Sequence, residues 1–95
     1  MLEINETAKR AIATNGGVFQ SMVAMEECSE LIQAISKCIR EPHDEEARKH
    51  LVEEMADVLI CLGQLKNIYQ VTDWELQIWT ATKLDRLERR LNHAK

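Results

Sequence analysis

Between Val18 and Ile39 apolar side chains return every three or four residues, the period of a helix with a covered face. The steps Ala24, Glu27, Leu31, Ala34 and Cys38 trace a seam of mostly small residues with one carboxylate inside it. Met22, Met25, Ile32, Ile35 and Ile39 give the same segment a second apolar side. The pattern repeats further on. Ala47, Leu51, Glu54, Val58, Cys61, Leu65 and Ile68 form a heptad seam, and Glu54 is its one foreign member. Val52, Met55, Leu59 and Leu62 add a second stripe, and from Met55 to Leu62 only Asp57 is polar. A helix apolar on nearly every side is buried on several sides. Four short helices do not surround it, so the pattern predicts an all-α chain that forms a helical bundle with a partner chain.

The helix ends are written in the same residues. A first helix is predicted over about 3–14, with thin apolar content (Ala8, Ala11, Ile12), ending at Asn15-Gly16-Gly17. A second over about 18–40 stops ahead of Pro42, whose ring disfavours helix in the preceding residue. A third opens near Asp44, with Glu45 and Glu46 where the helix dipole favours negative charge, and runs to about Gln70. The fourth begins at Thr72, since Thr72-Asp73-Trp74-Glu75 is a capping box, and Arg86, Arg89 and Arg90 suit its C-terminal turns.

Composition narrows the function. The chain has 95 residues, enough for a single domain over 1–95, and 45% hydrophobic against 29% charged residues is a globular balance. No apolar run reaches the ~18 residues of a membrane span, and the opening MLEINETAKR has no apolar stretch of a secretory signal. A net charge of −4 disfavours a nucleic-acid polymer as partner. Cys28, Cys38 and Cys61 lie in apolar patterns without paired CxxC spacing, and read as reduced, buried thiols of a cytoplasmic protein.

The chemistry lies in the foreign members of the seams. Glu27/Glu30 and Glu54/Asp57 are two carboxylate pairs at i, i+3 spacing, each set among core residues. Acids at helical spacing are usually a solvated face. Two such pairs embedded between Leu, Val, Ala and Cys instead point inward, where facing helices bring them to a common point. Four carboxylates in a poorly hydrated seam repel one another and need compensating positive charge. Hard oxygen donors at this density suit Mg²⁺ or Mn²⁺ better than Zn²⁺ or copper. Glu26 and Glu53 read as solvent-side acids. A di-iron centre is disfavoured, because the residues three before His43, His50 and His93 are Arg40, Ala47 and Arg90 rather than Glu. On the last helix Lys83 and Arg86 stand one turn apart, a basic pair suited to phosphate oxygens. Metal plus basic clamp points to phosphoanhydride hydrolysis.

The strings EECSELIQAISK (26–37) and EEMADVLICLGQL (53–65) resemble the MazG-like all-α nucleoside triphosphate pyrophosphohydrolases, marked by Glu-x-x-Glu followed after a helical gap by Glu-x-x-Asp. Gly16, Gln20 and KLDRLERRL (83–91) extend the likeness to the short phage and bacterial members. The resemblance implies Mg²⁺ held by Glu27, Glu30, Glu54 and Asp57, an oligomeric helical bundle that is an obligate homodimer or homotetramer, and hydrolysis of an NTP or dNTP to the monophosphate and pyrophosphate in nucleotide-pool housekeeping. It also supports Lys83 and Arg86 as phosphate contacts. Some relatives carry Lys one turn before the second motif; here that position is His50, with Lys37 as a candidate substitute. Gln20, two turns before Glu27 on the same face, is the candidate for a base edge. Trp74, Trp79 and Phe19 are placed as core aromatics more readily than as base-stacking ones. Two rival readings are phosphoribosyl-ATP pyrophosphohydrolase and a non-enzymatic helical interaction module.

Overall fold

The computed structural model describes residues 4–93, and within them the chain is four α-helices. They are α1 (Glu6–Asn15), α2 (Gly17–Arg40), α3 (Glu45–Ile68) and α4 (Asp73–His93). Each boundary has a local cause. The Asn5 side chain caps α1 by accepting from Thr7 N–H at 2.7 Å. Gly16, at φ 90°, turns the chain between α1 and α2 in a conformation a side chain would oppose. Asp44 Oδ1 accepts from Glu46 and Ala47 N–H at the start of α3. The capping box of α4 forms as the spacing predicts: Glu75 N–H donates to Thr72 Oγ1 at 3.1 Å, and Glu75 Oε2 accepts from Thr72 N–H at 2.8 Å.

The α2 and α3 helices pair along their length as an antiparallel hairpin. Cys38 Sγ meets the Ala47 carbonyl near the turn, Gln20 meets Gln64 at the far end, and the acids lie between. Ala24, Ala34, Ala47 and Cys61 are the buried apolar residues, so the two backbones approach closely over small side chains. The heptad seam of α3 is buried or half-buried at every step from Ala47 to Ile68. At Gly17 an added Cβ would lie 3.1 Å from Ile68 Cγ2, which leaves little room for a side chain at that end of the pair.

Helix α1 docks on the hairpin through amides rather than through a broad apolar face. Asn15 Nδ2 donates to Gln20 Oε1, Gln20 Nε2 donates to Gln64 Oε1, and Gln64 Nε2 donates to the Ala8 carbonyl. Gln20 and Gln64 are buried, and this relay satisfies them.

Helix α4 behaves differently. It leaves an elbow at Gln70 (φ 54°), held by an ion pair between Lys66 and Asp73, and packs against none of α1–α3. None of its residues is buried; Trp74, Ile78, Trp79, Leu84, Leu87 and Leu91 are exposed. The second stripes of α2 and α3 are open as well, with Met22, Met25, Ile32, Val52, Met55 and Leu59 all more than half or about half exposed. Among the described residues the three cysteines are free, but Cys28 is exposed, which corrects the reading of three buried thiols. It occupies the outward side of α2, one residue beyond the seam that carries Glu27.

Candidate metal centre

Midway along the hairpin, Glu27 and Glu30 of α2 and Glu54 of α3 each offer a carboxylate oxygen, and these atoms lie within 4.8 Å of one another. Helical geometry explains the convergence. An i, i+3 pair projects from one face, and the antiparallel register of α2 and α3 brings Glu54 against it. Glu54 is only 6% exposed, and Glu27 and Glu30 are half-buried. The Oε2 atoms of Glu27 and Glu54 are buried without a hydrogen-bond partner.

The electrostatics follow from that crowding. Burial pushes the Glu27 carboxyl up to about 6, helped by the charges of Glu30, Asp57 and Glu54. Glu54 is raised for the same reasons: burial first, then the charges of Glu30 and Asp57, with His50 opposing. His50 Nε2 lies 3.8 Å from Glu54 Oε1, one turn earlier on α3. Two orphaned oxygens inside a group of acids fit a small hard divalent cation, which supplies the charge that the chain's own packing does not.

The other sequence candidates take varied places. Asp57 is exposed at the rim, close enough to Glu27 to share a hydrogen bond when one of them is protonated. Gln20 lies at the α1–α2–α3 junction, with its amide engaged by Asn15 and Gln64. Lys37 is exposed and pairs with Glu41 at 4.0 Å. Lys83 and Arg86 lie on α4, where the Arg86 guanidinium sits 6.0 Å above the Trp79 ring. Because α4 does not pack on the hairpin, the folding of one chain does not itself bring these two cations to the acids. Sequence reading passed over Gln64, whose burial depends on a partner 44 positions away. Its only advance signal is a polar residue between Gly63 and Leu65 at the end of an apolar run.

The family model of the MazG nucleotide pyrophosphohydrolase domain matches residues 20–94, which takes in both acid-bearing helices and α4. The chain belongs to this family. No curated protein and no solved structure matches it. As in the MazG motif, Glu27-Cys28-Ser29-Glu30 and Glu54-Met55-Ala56-Asp57 stand on consecutive helices, and the fold brings three of their four carboxylates together. No helix among the described residues is long and apolar enough to cross a membrane.

Proposed function

We propose that this MazG protein is a Mg²⁺-dependent nucleoside triphosphate pyrophosphohydrolase that cleaves an NTP or dNTP to the monophosphate and pyrophosphate. The observation that carries this reading is the group of Glu27, Glu30 and Glu54 with two buried oxygens lacking partners. Glu27, Glu30 and Glu54 would hold the cation, with Asp57 completing the set from the rim. Bound there, the cation supplies Lewis-acid stabilisation of the charge on the phosphoryl oxygens.

The rest of the work falls to side chains. A carboxylate oxygen of the cluster that does not face the cation orients the attacking water and accepts its proton. The water oxygen bonds to phosphorus as the bond to the bridging oxygen breaks, and that oxygen leaves with pyrophosphate. Lys83 and Arg86 neutralise phosphate oxygens. They reach the acids in a homo-oligomer, in which the exposed apolar faces of α2, α3 and α4 are covered by copies of the same chain. Three free thiols suit a cytoplasmic setting. Nucleotide-pool housekeeping is the role that fits this reaction.

The decisive experiment is pyrophosphate release across common and damaged NTPs and dNTPs, with phosphoribosyl-ATP included, each with and without Mg²⁺. Release that requires the cation supports the proposal. No release from any nucleotide in the presence of Mg²⁺ or Mn²⁺ overturns it.

A further inference from the structure

Helix α1 is held differently from the rest of the fold. The matched family region starts at residue 20, so α1 lies outside it. No residue of α1 is buried, and its apolar contribution is Ala8, Ala11 and Ile12, each half-buried. The chain beyond it passes through Gly16, at φ 90°, where an added Cβ would meet nothing within 4 Å. On the far side of that glycine α2 is pinned: an added Cβ at Gly17 would crowd Ile68, and the Ser21 and Tyr69 hydroxyls meet at 2.8 Å. The backbone can therefore bend at Gly16 without moving α2. A helix of 10 residues is marginal in water, so α1 keeps its shape only while docked.

What holds α1 down stands in line with the acids. Gln20 precedes Glu27 by seven residues and Gln64 follows Asp57 by seven, so each amide shares the face of its acid. The separation along each helix is about 10 Å, which the sugar and base of a nucleotide span. In the docked state Gln20 Oε1 accepts from Asn15 Nδ2 at 3.1 Å, and Gln64 Nε2 donates to the Ala8 carbonyl at 3.1 Å. Between them, Gln20 Nε2 donates to Gln64 Oε1. Lifting α1 breaks the two outer bonds and leaves the central one. It frees one acceptor, Gln20 Oε1, and one donor, Gln64 Nε2, on two amides tied to each other. A nucleobase presents a donor beside an acceptor on its pairing edge, so it can replace both lost bonds at once.

We infer that α1 is a hinged lid over the nucleoside end of the site, swinging out at Gly16 as one unit when a base edge takes the hydrogen bonds that Asn15 and Ala8 give up. This rests on the reading of the acids as the cation-and-phosphate end of a nucleotide site, and it assigns a role to a helix that the acidic motif does not reach.

Amide hydrogen exchange on the full chain tests it, with two probes added separately in the presence of Mg²⁺: α,β-imido dNTPs carrying each common base, and inorganic tripolyphosphate. In the free protein, residues 9–15 should exchange at least about tenfold faster than the middle of the α2–α3 hairpin. Asn15→Ala should speed exchange in α1 about fivefold, the loss of one neutral hydrogen bond, and leave the hairpin unchanged. At least one imido dNTP should speed exchange in α1 by a similar factor, and tripolyphosphate, which has no base, should not. Three results overturn the lid while leaving the phosphate site standing: α1 amides as protected as the hairpin, no change in α1 on Asn15→Ala, and a nucleotide that binds by calorimetry yet slows α1 exchange or leaves it unaltered. Failure of both probes to bind with Mg²⁺ removes both readings. The wild-type exchange data decide the matter without any variant having to fold.

Discussion

The α2–α3 hairpin and α4 carry similar residues to opposite ends. In the hairpin, acids sit among apolar side chains that meet within one chain, and the packing raises the proton affinity of Glu27 and Glu54. On α4 the apolar stripe meets nothing, and two acids of its first turn are held down: Glu75 by hydrogen bonds from Thr72, Asp73 by a hydrogen bond from Lys66. The same carboxyl chemistry is thus a source of stored repulsion in one region and an anchor in the other. Acids that cost stability are retained where a ligand can offset the cost. Acids that stabilise a helix end need no such account.

The largest effect should come from removing one of the costly acids. Glu54→Gln should lower turnover by at least about 100-fold, the scale on which an active site loses one electrostatic stabiliser. The metal-free protein should stay folded, since a neutral amide relieves the repulsion. Steady-state pyrophosphate release and a melting curve on the same sample check both halves. Activity within tenfold of wild type would show that the cluster's crowding has nothing to do with catalysis.

Next in size is the test of what α4 lacks. Leu87→Asp places a charge in the open stripe formed with Leu84 and Leu91. If copies of the chain cover that stripe, light scattering should show the oligomer falling toward the 11.0 kDa monomer, with loss of activity. An unchanged mass would mean that α4 is solvated as it stands. Lys83→Ala, which leaves the stripe intact, should raise KM about tenfold with kcat little changed, the loss of one charge-assisted phosphate contact.

These regions also differ in what could be read from residues alone. The hairpin seam was legible because a heptad repeat specifies a face, and three of the four acids expected to converge do so, with Asp57 left at the rim. The ends of α3 and α4 were legible because Asp44 and Thr72 act on N–H groups two or three residues away. Gln64 was not, because an amide reads as surface until its partner across the fold is known, and Gln20, expected at a base edge, has its amide engaged by Asn15 and Gln64 instead. The stand-off of α4 was not legible either. Periodicity announces that a face will be covered, and it does not say by which chain. Cys28 misled for a related reason: the apolar residues around it belong partly to the second, open side of α2.

A smaller effect separates the two kinds of acid by pH. In the folded metal-free chain Glu27 titrates at about 6 against an ordinary 4.5, so folding takes up a proton between those values. The stability this group contributes is fully present below about 4.5 and is lost as pH rises through 6. With EDTA present, the melting temperature should therefore gain a few degrees from Glu27 between pH 8 and pH 5, a gain that Glu27→Gln abolishes. Added Mg²⁺ should stabilise far more at pH 8 than at pH 5. Equal stabilisation at both values would show that the cation does not compete with protons for this cluster.

The smallest effect lies at the start of α4, and its sign is reversed. Glu75 is held below its ordinary range by the Thr72 N–H and hydroxyl, so its contribution is present above the ordinary carboxyl range and disappears as pH falls through its lowered value. Thr72→Ala removes the hydroxyl that receives the Glu75 N–H and donates to its carboxylate. The cost should be about 1 kcal/mol, the usual value of an N-cap. Because residues 72–75 are exposed and precede the Leu84, Leu87 and Leu91 stripe that copies of the chain would cover, that cost should appear as local fraying rather than as a lower global melting point. Amide hydrogen exchange should rise over residues 73–77 in Thr72→Ala and stay unchanged across the α2–α3 hairpin. Acidifying the wild-type protein should open the same few amides while the metal-free hairpin grows more stable, so one titration followed by exchange reads the two regions moving in opposite directions.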